Sequence, residues 1–330
     1  MYDIELNEIS KDYIVFNKQS GFLQSVKQLF HREQSITPAI NSITLNVEHG
    51  ECLGIIGANG AGKTTLIKMM TGIISPTSGS IRVLGYIPFE LKDDFKKRIA
   101  FVSGQRSQLF FDLTAMDSFL LLREIYDVNK DRFDQSIREL SEMLEVTSLL
   151  DRPVRNLSLG ERMKMEIISA LIHDPAILFL DEPTIGLDCI SQSKFRKYLK
   201  KINNDRMITI ILTSHDFADI LDVCERGIVL NHGNKIFDED IEKLLKRFNT
   251  KKVITIYLER PKRKIPLPKF CDVIAENEDK VSFAISPDKV GNVYDLLFSQ
   301  YPSADILIED EDVASIIERV YKHGNVSNNS

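Results

Sequence analysis

The chain has 330 residues, 43% of them hydrophobic, and its 42 basic and 48 acidic residues leave a net charge of −6. That length predicts a large domain followed by a smaller one. The charge balance, without a long basic run, excludes a surface built to track a nucleic-acid backbone, so no nucleic-acid partner is expected.

Ile4 to Phe16 reads as a strand, and Ser42 to Val47 alternates like a second one. Between them, Asn17 to Thr37 places Phe22, Val26, Leu29 and Phe30 at helical spacing with lysine and arginine interleaved. This is the pattern of a short basic amphipathic helix, packed on its own domain or touching a membrane or partner. A turn at Glu48 to Glu51 leads into the apolar run Leu53-Gly-Ile-Ile56, a buried parallel strand, and Thr64 to Met70 continue as a helix. Between strand and helix stands Gly57-Ala-Asn-Gly-Ala-Gly-Lys63-Thr64-Thr65, which fits G-x-x-x-x-G-K-[ST] in its strand, loop and helix setting. Gly57, Gly60 and Gly62 let backbone N–H groups turn inward, and the helix dipole adds positive potential, so phosphate is the natural guest. Gly57, Asn59, Gly60, Ala61, Gly62, Lys63, Thr64 and Thr65 form the expected cradle. Lys63 is expected to reach the β and γ phosphates and Thr64 to offer its hydroxyl to Mg²⁺.

A helical insertion is expected over about 112–170, where Phe119 to Tyr126 and Ile137 to Leu144 carry helical periodicity. Within it, Leu157-Ser158-Leu159-Gly160-Glu161-Arg162 places Ser158 three residues before Glu161, a capping box for a helix running to His173. A capped helix start beside Gly160 also leaves N–H groups that could grip a γ-phosphate. Ile177-Leu-Phe-Leu-Asp181-Glu182-Pro-Thr184 fits a buried strand whose end delivers two carboxylates to a nucleotide crevice. Adjacent strand residues face opposite ways, so the acids are expected to divide the work: Asp181 in the Mg²⁺ shell, Glu182 polarising the attacking water. Strand signals at Ala176 to Leu180, Ile208 to Leu212, Gly227 to Leu230 and Lys235 to Phe237 alternate with helices, which predicts a parallel sheet with crossovers.

The character changes around Arg247 to Lys252, and Pro261 to Pro268 is a basic, proline-rich loop. The rest reads strand, strand, helix, strand, helix over Val253 to Tyr257, Val281 to Ile285, Val290 to Phe298, Asp305 to Ile308 and Asp312 to Tyr321. This predicts a small α+β domain over 250–324 with a disordered polar tail at 325–330. Cys52, Cys189, Cys224 and Cys271 show no metal or disulfide spacing and read as reduced thiols. No run approaches the roughly 18 apolar residues of a membrane span, and the start lacks the pattern of a secretory leader, so a soluble cytoplasmic chain is expected.

The stretch Leu157 to Arg162 resembles the signature of the ABC transporter ATPases, usually L-S-G-G-Q. Leu159 and Glu161 replace a glycine and the glutamine, while Ser158 and Gly160 are kept. The resemblance implies, over residues 1–249, an α/β P-loop NTPase of the ABC ATPase type with a helical subdomain, using ATP and Mg²⁺. It assigns Gln105 to a loop linking the Mg²⁺ site to membrane subunits, Asp188 of Gly186-Leu187-Asp188 to a nucleotide-binding loop that communicates across a dimer, and His215 to sensing the γ-phosphate beside Glu182. Tyr13 is the implied adenine-stacking aromatic, with Phe16 its rival. Two copies would pack head to tail, each nucleotide lying between the phosphate loop of one and Ser158 and Gly160 of the other. Gly104 to Leu109, the signature variant and Asp305 to Ile317 resemble the ATPases of bacterial type 2 export systems, which work at the cytoplasmic face with separate six-helix membrane permeases. A soluble member acting in translation or DNA repair would carry two ATPase domains or a long coiled coil, and neither occurs. A non-hydrolysing sensor is disfavoured by the retention of Lys63, Asp181, Glu182 and His215.

Overall fold

The computed structural model describes residues 2–16, 34–104, 107–248, 251–258, 267–268, 270–277 and 279–311. The chain divides into two units, Met1–Asp240 and Ile241–Ser330; the sequence reading ends its first domain at 249. Among the described residues no helix is long and apolar enough to cross a membrane.

The first unit holds two sheets. In one, β1 (Tyr2–Phe16) lies between β2 (Gln34–Glu48) and β4 (Ser78–Val83), all antiparallel. In the other, β3 (Cys52–Gly57), β5 (Ile99–Ser103), β6 (Ile177–Asp181), β7 (Thr209–Ser214), β8 (Arg226–Asn231) and β9 (Asn234–Asp240) run in the order β5-β6-β7-β3-β8-β9. Strands β5, β6, β7, β3 and β8 are parallel, and β9 turns back antiparallel on β8. Residues of β3, β6 and β7 are buried without exception, as the mostly apolar strands of a two-sided sheet should be. The pairings Ser103↔Asp181, Asp181↔Thr213 and Ile56↔Ser214 bring the ends of these strands to one edge. In an open parallel sheet, that edge is where ligands bind.

Helix α1 (Lys63–Met70) follows β3 and buries Leu66, Ile67, Met69 and Met70 in a core shared with Leu6, Leu45, Ile55 and Phe179. Both sheets thus close on α1, at about 1.5–3 kcal/mol for each large apolar side chain removed from water. The short helix α2 (Asp93–Lys96) precedes β5. Helices α3 (Ala115–Tyr126), α4 (Lys130–Met143) and α5 (Leu159–Leu171) make up the helical insertion. Thr114 with Asp117, and Ser158 with Glu161, form reciprocal capping boxes that fix where α3 and α5 begin. Asp188 caps α6 (Cys189–Arg206) and Asp216 caps α7 (Phe217–Val223).

Two sequence expectations change. Gln34 to Thr37, placed by the sequence reading in the stretch between the first two strands, belongs to β2, because Ser35, Ile36 and Thr37 pair with Val15, Ile14 and Tyr13. The helix expected from Phe22, Val26, Leu29 and Phe30 lies outside the described residues. Strand β4 had no counterpart in the sequence reading: only Ile81 and Val83 of its six residues are buried, too short a run to register as a pattern.

The second unit contains α8 (Ile241–Phe248) and an antiparallel sheet of β10 (Lys252–Tyr257), β11 (Asp272–Glu276), β12 (Lys280–Ile285) and β13 (Asp305–Asp310), in the order β11-β12-β10-β13. Helix α9 (Val290–Gln300) places Val293 and Leu297 against Ile254, Ile256 and Phe283, forming a core of the unit's own. The expected helix at Asp312 to Tyr321, the tail and the middle of the proline-rich loop lie outside the described residues.

Candidate functional site

Gly62 caps α1 at φ 108°, and a Cβ there would lie 2.7 Å from the Ala39 carbonyl oxygen of β2, so glycine is required for the loop to pass beneath that strand. No side chain caps α1, which leaves first-turn N–H donors for a ligand. They face a cavity of about 380 Å³ lined by Asn59, Gly60, Gly62, Lys63, Thr64 and Thr65, with Glu182 and His215 opposite. Gly57 and Ala61 build the loop behind it: the Gly57 carbonyl accepts from Lys63 Nζ at 2.7 Å, and Ala61 is buried in the shared core. Lys63 is only 5% exposed, so its charge must be matched, and Glu182 Oε1 lies 3.1 Å from Nζ.

Thr64 Oγ1 donates to Asp181 Oδ1 at 3.1 Å, and Thr213 Oγ1 donates to the same oxygen at 2.8 Å. Glu182 does not continue the strand; it turns into the left-handed region at φ 53°, held by its N–H donating to Thr213 Oγ1 at 3.1 Å. The two acids do separate, but through this turn and not through strand alternation: Asp181 faces Thr64, and Glu182 faces Lys63 and His215. The His215 backbone N–H donates to Glu182 Oε2 at 3.1 Å, and the imidazole Nδ1 meets the same oxygen. Burial pushes the Glu182 carboxyl up, but hydrogen bonds and charge from His215 and Lys63 outweigh it and leave the group below its ordinary value. Behind both segments, the fully buried Asp219 accepts from Ser214 Oγ at 2.8 Å and from Thr184, and pairs with Arg196 at 3.0 Å. Thr213 and Asp219 were missed from sequence; a threonine inside the apolar run Ile210 to Leu212-Thr213 was the available signal.

The oxygens of Thr64 and Asp181 are hard donors of the kind Mg²⁺ prefers, and one or two protein oxygens with phosphates and water complete its usual shell. The residues therefore fit that ion.

Gln105 lies outside the described residues. Its neighbour Gly104 donates its N–H to the Asp181 carbonyl at 3.0 Å, and a Cβ there would lie 2.0 Å from the Glu182 carbonyl oxygen, so only glycine allows this approach. Tyr13, 38% exposed, pairs with Thr37, two residues from the cavity-lining Ala39; the Phe16 side chain is outside the described residues. Tyr13, Ser158, Gly160 and Asp188 do not line the cavity. Ser158 and Asp188 are exposed helix caps, and Leu159 lies against Gly186, so the signature stretch and the Gly186-Leu187-Asp188 loop meet within one chain.

A family model described as ABC transporter matches residues 40–185. The ABC transporter ATP-binding protein NatA of Bacillus subtilis is 30% identical over 238 residues, covering 72% of this chain and 96% of NatA. The bacitracin transport ATP-binding protein BcrA of Bacillus licheniformis is 32% identical, covering 63% of this chain and 67% of BcrA. The methionine import ATP-binding protein MetN of Latilactobacillus sakei is 33% identical, covering 65% and 63%. Among solved structures, the ATP-binding cassette MJ0796, a dimer in a post-hydrolysis state bound to ADP and Pi, matches with TM-score 0.59 at 26% identity over 72% of this chain and 98% of that one.

Proposed function

As a member of the ABC transporter ATP-binding family, the chain binds and hydrolyses ATP as a subunit of a transporter, and we propose that it does so as a head-to-tail dimer powering export through separate membrane permeases. The observation that carries the dimer is the division of the site. Lys63, Thr64, Glu182 and His215 line one cavity, with Asp181 bonded to Thr64, while Ser158 and Asp188 are exposed helix caps and Gly160 lies in the first turn of α5, none of them lining that cavity. A second copy in C₂ symmetry would bring those helix starts onto the γ-phosphate twice over.

In this reading ATP enters with its phosphates over the first turn of α1, and Tyr13 stacks on adenine. Gly57, Asn59, Gly60, Ala61, Gly62 and Thr65 shape or line the cradle. Lys63 takes phosphate oxygens as anionic partners beside Glu182. Thr64 and Asp181, with Gln105, would hold Mg²⁺, which neutralises phosphate charge when bound. Glu182 orients water in line with the γ-phosphorus and accepts proton density as the new P–O bond forms and the β–γ bridge breaks. His215 keeps the Glu182 carboxylate aimed, and Asp188 reports across the pair.

A groove of about 240 Å³ lined by Ile73, Phe101, Gln108 and Tyr126, with Phe110 and Phe111 about half exposed nearby, supports docking of an apolar permease segment. That docking would keep the chain at the cytoplasmic face of the membrane. The export direction rests on the resemblance to type 2 systems. Co-expression with six-helix membrane proteins encoded beside it, followed by ATP-driven transport in vesicles of known orientation, tests the proposal. Turnover without a co-purifying membrane subunit, or movement of substrate inward, would reject it.

A further inference from the structure

Glu166 lies on α5 about two turns past Ser158 and is only 2% exposed. The chemistry at the cavity does not use it. A buried carboxylate is costly unless its oxygens are hydrogen-bonded, and an apolar side chain would fill the same space without that cost. Its partners come from one short piece of chain: Ser107 Oγ donates to Oε1, and the Gln108 N–H donates to both oxygens, at 3.2 and 3.1 Å. Burial pushes the carboxyl above its usual range.

The same piece of chain is held from the other side. Gln108 Nε2 donates to the Phe101 carbonyl of β5, and upstream Gly104 is fastened to Asp181 and packed on the Glu182 carbonyl. Gln108 and Phe101 also line the groove in which a permease segment is proposed to dock. We propose that Glu166 is a positioning residue that ties the loop after Gln105 to the helix starting at Ser158, so that a partner pressing on the groove moves the phosphate-gripping end of α5. This rests on the reading that Ser158 grips nucleotide in the dimer. Two charge-assisted attachments to consecutive residues leave the loop and helix little freedom to slide apart, whereas an apolar contact would allow it.

The test uses the full chain with Glu166→Ala, Glu166→Gln and Ser107→Ala, measuring amide hydrogen exchange over 107–110, melting temperature, and kcat and KM for ATP. Glu166→Ala should speed exchange at Gln108 and lower kcat, each about tenfold, with KM held within about twofold. Glu166→Gln, which keeps one acceptor oxygen, should fall between it and the natural chain. If melting falls but kcat per folded molecule stays unchanged in these variants, Glu166 is only a packing group and the proposal is overturned. Should Glu166→Ala fail to fold, the other two variants decide it in the same way. Ser158→Ala, run alongside, separates the two readings. Natural turnover there rejects nucleotide gripping by Ser158, whereas lowered turnover there with natural turnover in the Glu166 variants rejects the tie.

Discussion

Lys63 and Glu182 each need the other: one buried cation and one part-buried carboxylate 3.1 Å apart. Lys63→Ala therefore removes the proposed partner of the ATP phosphates and leaves Glu182 with only its His215 contacts. We expect ATP affinity to fall about 30-fold or more, equivalent to about 2 kcal/mol for a charge-assisted contact, measured by nucleotide titration and turnover together. Glu182→Gln keeps shape and loses charge. Turnover should drop about a hundredfold or more with ATP binding retained, and size exclusion with ATP should show the stalled dimer. The same variant gives a pH signature. The folded Glu182 carboxyl is held below its ordinary value, so its stabilisation is complete above the unfolded value near pH ~4.3 and is lost as pH falls through the folded one. The melting-temperature gap between the natural chain and Glu182→Gln should thus be widest near neutrality and close in acid. A constant gap would remove the ionic account of this residue.

At the level of elements, what the sequence made legible was what is local. The runs that became β3, β6 and β7 are buried throughout and mostly apolar because both faces of the sheet are covered, and the phosphate loop follows from its own glycines and the helix behind it. Strands β4 and β11 escaped because most of their residues are exposed, so periodicity had nothing to work on. The turn at Glu182 escaped too: its left-handed backbone is imposed by Thr213 of a neighbouring strand, 31 residues away in sequence. Helix α5 offers a test at this scale, since Ser158 both caps it and is proposed to meet a nucleotide. Ser158→Ala should cost about 1 kcal/mol, or roughly 2–4 °C in melting for a unit of this size, and should also lower turnover. Glu161→Ala, which removes only the reciprocal half of the capping box, should lower melting while turnover remains. Equal loss of turnover in both would make the cap, and not the hydroxyl, the functional feature.

Over the whole molecule, nucleotide chemistry and the second unit are separable in the residues that carry them. Every cavity-lining residue lies before Asp240, and the second unit has its own core of Ile254, Phe283 and Leu297. We propose that it acts as a separate domain contributing to dimer stability or permease coupling. A chain ending at Asp240 should remain folded and bind ATP as the full chain does, while permease-coupled turnover falls. Loss of ATP binding in a soluble, folded truncation would contradict that separation, and unchanged coupling would leave the second unit without the proposed role.

The start of α1 has a calorimetric consequence. Its donors have no side-chain cap, and its apolar face is shared by both sheets of the first unit, so an anion bound there is bound to the folded state alone. Heat stability then becomes a gauge of occupancy, rising with the logarithm of ATP concentration and gaining about 2.7 kcal/mol at a hundred times the dissociation constant. A scanning series across ATP concentrations should reveal that slope in the natural chain and in Glu182→Gln, and displace its onset to about 30-fold or more higher ATP in Lys63→Ala.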